Sequence, residues 1–362
     1  MPKKWRVAGI NFAHMHMGDN LKMVYEHPNA EIVAIADENR ESMRDAIKAF
    51  SLQDEQVFSD YKECLEKSRP DIVILCPPTA EHAEWVEKVA VYPVHIILEK
   101  PFAASLEEAD RILKAMQRHN KRLLVNWPLA WVAPHVTAKK VIDEGVIGEV
   151  REVRFYDGNR GPLWHRGDKV ETTQEEVDRE KPHSWFYKKA AGGGSLLDYL
   201  GYGATLGTWY HNEKKPLEVV TVMDEPSNLE VDEHSITILR YSTGLSKMET
   251  RWGTFSDPWI HQPQPKCGFV IVGSEGTISS YDYEATIVVQ NRKHPEGVVI
   301  DSVELKTPNR NPVEYLIDCI EHNKAISGPV SPAISRIGQV IVDAAYESGK
   351  TKRRVSLENF KW

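Results

Sequence analysis

Cysteine is scarce in this sequence and carries no pairing pattern. Cys64, Cys76, Cys267 and Cys319 are scattered over 362 residues with no C-x-x-C spacing. Neither a disulfide framework nor a zinc ribbon is expected, and a reduced, cytoplasmic compartment is the default. Long apolar runs are missing too. No stretch approaches the roughly 18 residues of a membrane-spanning helix, and the apolar run after the basic start is too short for a secretory signal. There is no Lys/Arg block. Lys+Arg number 45 against 53 Asp+Glu, a formal charge of −8, which argues against a nucleic-acid binder. Neither a fixed repeat nor a low-complexity tract is present. Apolar residues form 41% of the chain, enough for a packed core, and the length suggests about two domains. The expectation is a soluble protein that handles small molecules.

The first third alternates two patterns. Short Val- and Ile-rich runs at Arg6–Ile10, Ile32–Asp37, Asp71–Cys76, His95–Glu99 and Arg122–Trp127 suit strands buried on both faces of a parallel sheet. Between them lie helical segments, the clearest being Ser105–His119, opened by the capping box Ser105-x-x-Glu108. This predicts an α/β, doubly wound parallel sheet over residues 1–126. After Trp127 the rhythm changes. A helix (Pro134–Glu144), a strand (Glu149–Tyr156), a charged stretch and a second helix (Gly194–Tyr210) lead into consecutive strand-like runs. These are Leu217–Met223, Ser235–Tyr241, Leu245–Trp252, Phe269–Val272 and Thr286–Val289. Strands without intervening helices mean a mostly antiparallel sheet, so residues 127–362 read as an α+β domain with one large open sheet. Helices at Val313–His322 and Ile334–Ser348 close the chain.

Gly9, Asn11, Phe12, Ala13 and His14 occupy the first strand–helix turn, where a dinucleotide fingerprint would read G-x-G-x-x-G. Only the first glycine is present. Asn11 tolerates the left-handed backbone the turn needs, and the helix start still offers N–H groups to a pyrophosphate. Asp37, at the end of the second strand, suits the adenosine ribose hydroxyls and repels a 2′-phosphate, which favours NAD over NADP; it equally suits a helix cap. His14-Met15-His16 is too closely spaced for a helical i, i+4 metal pair and no carboxylate cluster accompanies it, so a surface or helix-start histidine is expected and no metal.

Four segments carry a resemblance. They are Cys76-Pro77-Pro78-Thr79-Ala80-Glu81-His82, Glu99-Lys100-Pro101, Gly192-Gly193-Gly194-Ser195-Leu196-Leu197-Asp198 with Tyr202 four residues on, and Val272-Gly273-Ser274-Glu275-Gly276. In this order they resemble the Gfo/Idh/MocA family of NAD(P)-dependent oxidoreductases, over nearly the whole chain. The resemblance implies a Rossmann domain followed by a C-terminal α/β domain whose open sheet often forms the oligomer interface, here a homodimer or homotetramer. It also implies hydride transfer between nicotinamide and a secondary alcohol of a sugar, sugar derivative or cyclitol. Cys76, Pro77, His82, Glu99, Lys100 and Asn126 fall on its cofactor side, although His82 could simply start a helix. The sequence departs from the family at the degenerate glycine turn and in the aromatic stretch Asn126–Pro134. It also carries Tyr202 where many members have His, as in the glucose–fructose oxidoreductase branch.

Taken with the resemblance, the residues suggest a mechanism. Oxidising an alcohol needs a base. A tyrosine, with a pKa of about 10, serves only when a nearby cation favours its phenolate. Tyr202 is the expected acid/base, Lys100 its activating cation, and Asp198, one helical turn before Tyr202, the group orienting a sugar hydroxyl; Lys100 as the base itself is the alternative. Trp127, Trp131, Trp164, Trp185 and Tyr187 could face a pyranose ring, and Asp157, Arg160 and His183 could read its hydroxyls. Core packing is the competing role for each aromatic. Two other functions stay open: a dinucleotide-binding regulator without chemistry, and an enzyme that holds and recycles its NAD in sugar–sugar transfer or glycoside cleavage. The charge run Lys169–Lys181 reads as a solvated loop or a lid.

Overall fold

The computed structural model describes residues 3–362, so the first two residues of the expected first domain lie outside it. It divides into two compact units. One comprises the chain through Asn126 together with Leu163–Glu180 and Lys306–Pro332. The other comprises Trp127–Pro162, Lys181–Leu305 and Ala333–Trp362. The expected single block 127–362 is therefore interrupted twice, because two later segments satisfy groups of the first unit. Val125 N–H donates to Val330 O (3.1 Å), and Trp5 Nε1 donates to Glu321 (2.9 Å). The Asp168 N–H donates to Asp19 (2.7 Å), and Lys22 pairs with the Asp168 carboxylate (3.0 Å). Asp168, just before the charge run Lys169–Lys181 read as a solvated loop or a lid, is thus tied to the first unit's opening helix.

The first unit is built from β1 (Trp5–Ile10), α1 (His16–Glu26), β2 (Ala30–Ala36), α2 (Arg44–Ala49), β3 (Val57–Phe58), α3 (Tyr61–Ser68), β4 (Ile72–Leu75), α4 (His82–Val89), β5 (His95–Glu99), α5 (Leu106–Met116) and β6 (Leu123–Asn126). All its strand pairs are parallel, in the order β3-β2-β1-β4-β5-β6. Every residue of β4 and β5 is buried, which is why both read as unbroken apolar runs. The order reverses between β1 and β4, the switch point at whose carboxyl side such sheets bind ligands. Gly9 is dictated by packing: a Cβ there would lie 2.9 Å from Met17 Sδ on α1. Ser105 caps α5 as expected, but Glu108 reaches back to the Ala104 N–H (3.1 Å) rather than to that of Ser105.

Chain order continues with α6 (Ala133–Asp143), β7 (Val150–Asn159), α7 (Gln174–Glu180, in the first unit), α8 (Ser195–Tyr210), β8 (Glu218–Met223), β9 (His234–Arg240), β10 (Leu245–Trp252), β11 (Gly268–Gly273), β12 (Gly276–Tyr281), β13 (Thr286–Asn291), β14 (His294–Asp301), α9 (Pro312–Glu321, in the first unit), α10 (Pro332–Thr351) and β15 (Val355–Ser356). The second unit's sheet runs β14-β13-β12-β11-β7-β10-β9-β8-β15 and is antiparallel except where β7 meets β10. In β10 the buried residues Ser246, Met248, Thr250 and Trp252 alternate with more exposed ones, and α8 covers that face. No helix among the described residues is long and apolar enough to cross a membrane.

Candidate functional site

The carboxyl edge of the parallel sheet gathers the predicted cofactor residues. Asn11 adopts φ 65°, and its side chain accepts the Ala13 N–H (3.0 Å), so it holds the turn in the glycine's place. The Asp37 carboxylate accepts the Phe12 N–H (2.7 Å) and the Asn39 N–H (2.8 Å). It does not cap the following helical turn; Asn39 does, accepting from Glu41 N–H. Each Asp37 oxygen keeps acceptor capacity for a ribose hydroxyl. His14, standing for the third glycine, is buried, and its N–H ties the turn to Cys76 O (3.0 Å). The turn fits a dinucleotide: a glycine where the helix crosses the strand, a left-handed Asn, and an acid at the end of β2.

The floor of this edge is a cluster of titratable groups. Lys100 is buried, at 4% exposure, and its peptide bond to Pro101 is cis. His82 starts α4 and also clamps two turns, with Nδ1 3.3 Å from Phe102 O and Nε2 3.2 Å from Pro77 O. Burial pushes its pKa down to about 4, and the neutral ring donates to only one of these oxygens. Burial, then the His16 and Lys100 charges, hold His14 well below the ordinary imidazole range. Burial opposes protonation of His16 as well, but the Glu99 carboxylate outweighs it and His16 titrates above its usual value. His16 Nδ1 lies 2.8 Å from Glu99 Oε1. β5 brings one carboxylate to His14-Met15-His16 from 83 residues away, a contact that sequence spacing does not show. Asn126 donates to the Asn20 side chain (3.1 Å) beneath the same edge, and Asn20 reaches Cys76 Sγ (3.9 Å).

In the second unit α8 presents Asp198 and, one turn on, Tyr202. The helix starts at Gly194 (φ 108°), where a Cβ would lie 2.6 Å from Asp232 Oδ1. Asp232 is a residue no sequence motif singled out. Its buried carboxylate accepts Ser195 Oγ–H (2.8 Å) and the Leu196 N–H (2.9 Å), tying down the helix start. Burial raises its pKa to about 6. The phenol of Tyr187 is pushed up by burial, then by Glu233 and Asp198, and that of Tyr199 by burial, then by Asp198 and Asp157. The Asp198 charge thus reaches both phenols and that of Asp157 reaches Tyr199, and Tyr199 lies 6.4 Å from Tyr202 between ring centroids.

The remaining predicted sugar contacts divide. Trp127 is corrected: at 1% exposure, with Nε1 donating to Ser335 Oγ (3.1 Å), it cannot offer a face to a ring. It is the wall behind Tyr202, edge-on at 5.3 Å, and packs against Gly201, where a Cβ would overlap its ring. Gly201→Ala should cost about 1–3 kcal/mol, the usual range for overpacking, read as a lowered midpoint in urea. Arg160 is spent on the wholly buried Asp257 (Nε–Oδ2 2.7 Å; backbone N–H to Oδ1 2.9 Å), which fixes the end of β7. Trp185 stacks on Phe186 at 3.9 Å, Trp131 is half-buried and His183 is exposed. Trp164 belongs to the first unit rather than the second.

Comparison with known proteins accounts for both halves. Over 277 residues the chain is 26% identical to levoglucosan dehydrogenase of Pseudarthrobacter phenanthrenivorans, covering 69% of this chain and 64% of that one. Over 156 residues it is 24% identical to myo-inositol 2-dehydrogenase of Thermotoga maritima, covering 43% and 45%. The chain spans 35%, 43% and 64% of the lengths of three curated relatives that it matches. The aldose–aldose oxidoreductase of Caulobacter crescentus, solved with glycerol, has the same fold, with TM-score 0.79, 17% identity, and 98% and 100% of the two chains covered. A model of an oxidoreductase family with an NAD-binding Rossmann fold matches residues 3–127, and one of the GFO/IDH/MocA C-terminal domain matches residues 135–279. The chain belongs to the Gfo/Idh/MocA oxidoreductase family.

Proposed function

We propose that this protein is an NAD-dependent dehydrogenase acting on a secondary alcohol of a sugar, sugar derivative or cyclitol. The observation that carries the reading is Lys100, a cation buried at the carboxyl end of β5 beside His14 and His82. Family relatives that act on levoglucosan and myo-inositol support the substrate class. Bound nicotinamide supplies the hydride acceptor. The chain's own residues do the rest: Asp37 holds the ribose, Lys100 hydrogen-bonds the reacting hydroxyl, Tyr202 takes its proton, and Asp198 orients a neighbouring hydroxyl. Asp157 joins Asp198 in reading the polyol. Trp131, Trp164, Trp185, Tyr187 and His183 are secondary candidates. The test is nicotinamide reduction by purified protein with a panel of anhydrosugars, sugar acids, glycosides and inositols; silence across the panel from protein that binds NAD would remove the reading.

The preference for NAD rests on Asp37. Asp37→Ala should weaken NAD by about tenfold to hundredfold, the loss of charge-assisted hydrogen bonds worth about 1.5–3 kcal/mol. Isothermal titration of both dinucleotides measures it, and tighter NADP than NAD in the parent protein would overturn the preference. We further propose a cytoplasmic homodimer or homotetramer built on the outer sheet face. There Val220 pairs across strands with Ile238 and Val222 with Ile236, and Val222 is 71% exposed. Light scattering should give a dimer or tetramer at micromolar concentration and a monomer for Val222→Lys/Ile238→Lys; a monomeric parent would sink the idea.

A further inference from the structure

His14, His16 and Glu99 each offer one ligand atom, all within 4.8 Å of one another. The chain brings them together from two places. His14 lies in the turn after β1 and His16 is the first residue of α1, so the two rings lean together, centroids 4.4 Å apart. Glu99 ends β5 with its side chain fully buried. One carboxylate oxygen, Oε1, meets His16; the other, Oε2, is buried with no hydrogen-bond partner. A buried carboxylate oxygen without a donor is costly, and an oxygen so placed beside two imidazoles calls for an electrophile.

We propose that His14, His16 and Glu99 form a binding site for a first-row divalent cation of the zinc or iron(II) kind. Two imidazole nitrogens and one carboxylate oxygen are the donor set such ions take when they keep coordination positions open. His16, with a side chain 25% exposed, gives the ion an entry. The ion replaces a proton. The hydrogen held at the 2.8 Å contact between His16 Nδ1 and Glu99 Oε1 leaves when the ion binds. His14 Nδ1 accepts the His16 N–H at 3.2 Å. The ion therefore takes that nitrogen in place of the bond, or takes Nε2 after a change of tautomer. Lys100, buried and next to Glu99 in the chain, opposes a further positive charge, so its removal should tighten the ion. The site does not depend on the dehydrogenase reading; it would stand in a protein that turned over no sugar.

The experiment is cobalt(II) titration of untagged, chelator-stripped full-length protein, followed by visible d–d absorption and by equilibrium dialysis. The expected result is one equivalent bound with a ligand-field band. His14→Ala, His16→Ala and Glu99→Gln should each weaken binding by more than about a hundredfold, since losing even an outer-shell partner costs tenfold to a hundredfold. Thermal melts check that each variant is folded. For any that is not, the paramagnetic shift of the His14 and His16 ring protons in the wild type replaces it. No cobalt bound by the wild type, binding unchanged within twofold in the folded variants, or shifts confined to other histidines would overturn the proposal.

Discussion

Lys100→Ala should lose about 10²–10⁴ in turnover while still binding NAD, the range expected for removing a positioned proton-transfer group. The residue has no solvent-exposed role to fall back on. It is buried at the end of a fully buried strand, and its charge depresses the His14, His16 and His82 rings around it. Three readouts separate this from a folding defect. NAD affinity by titration should hold within a few-fold, because the proposed ribose and phosphate contacts lie on Asp37 and the first turn. The His14 and His82 ring titrations, followed by NMR, should move upward once the neighbouring cation is gone. Lys100→Arg should not restore turnover, because a planar fork cannot replace a point donor in a packed site. Tyr202→Phe should cost a similar factor if its hydroxyl takes the proton. A Lys100→Ala enzyme within tenfold of wild type would end the assignment, whatever its substrate.

Local signals were the readable ones. His95–Glu99 and Leu245–Trp252 are strands over the very residues that the apolar pattern marks, because burial on two faces or one writes itself into residue order. Asn11 carries its positive φ because few side chains other than Asn tolerate one. What sequence order hides is contact across strands. Glu99 meets His16 only because β4 places β5 two strands from β1, a fact of sheet order. Asp232 sits in an irregular turn without periodicity, yet holds the start of α8. The strand β14 is an exposed edge containing Pro295 and Gly297, so it lacks the alternation that would have announced it. Trp127 belongs to an aromatic stretch that reads equally well as ligand platform or core; the space left at Gly201 decides for core.

Acid should unfold the protein through its buried histidines. Burial holds His82, His95 and His211 at about 4 in the folded state, against about 6.5 in an unfolded chain. Between those values the unfolded state binds the extra protons, so stability is intact above about pH 6.5 and is lost as pH falls through the window toward 4. By pH 4.5 each ring costs about 2 kcal/mol. Asp232 works the other way. Its raised pKa of about 6 lets the folded state take a proton first, returning about 2 kcal/mol over the same range. His14 and His27 add to the loss, and His16, raised by Glu99, offsets part of it. The net is a loss of several kcal/mol, on the order of the whole stability of a typical domain at 5–15 kcal/mol. Urea denaturation at pH 7, 5.5 and 4.5 should therefore give steadily falling midpoints. His82→Gln should flatten the pH slope by about one proton, 1.36 kcal/mol per pH unit, because an amide can still meet one of the two carbonyls without titrating. A midpoint as high at pH 4.5 as at pH 7 would mean that these rings are hydrated or already charged in the folded protein.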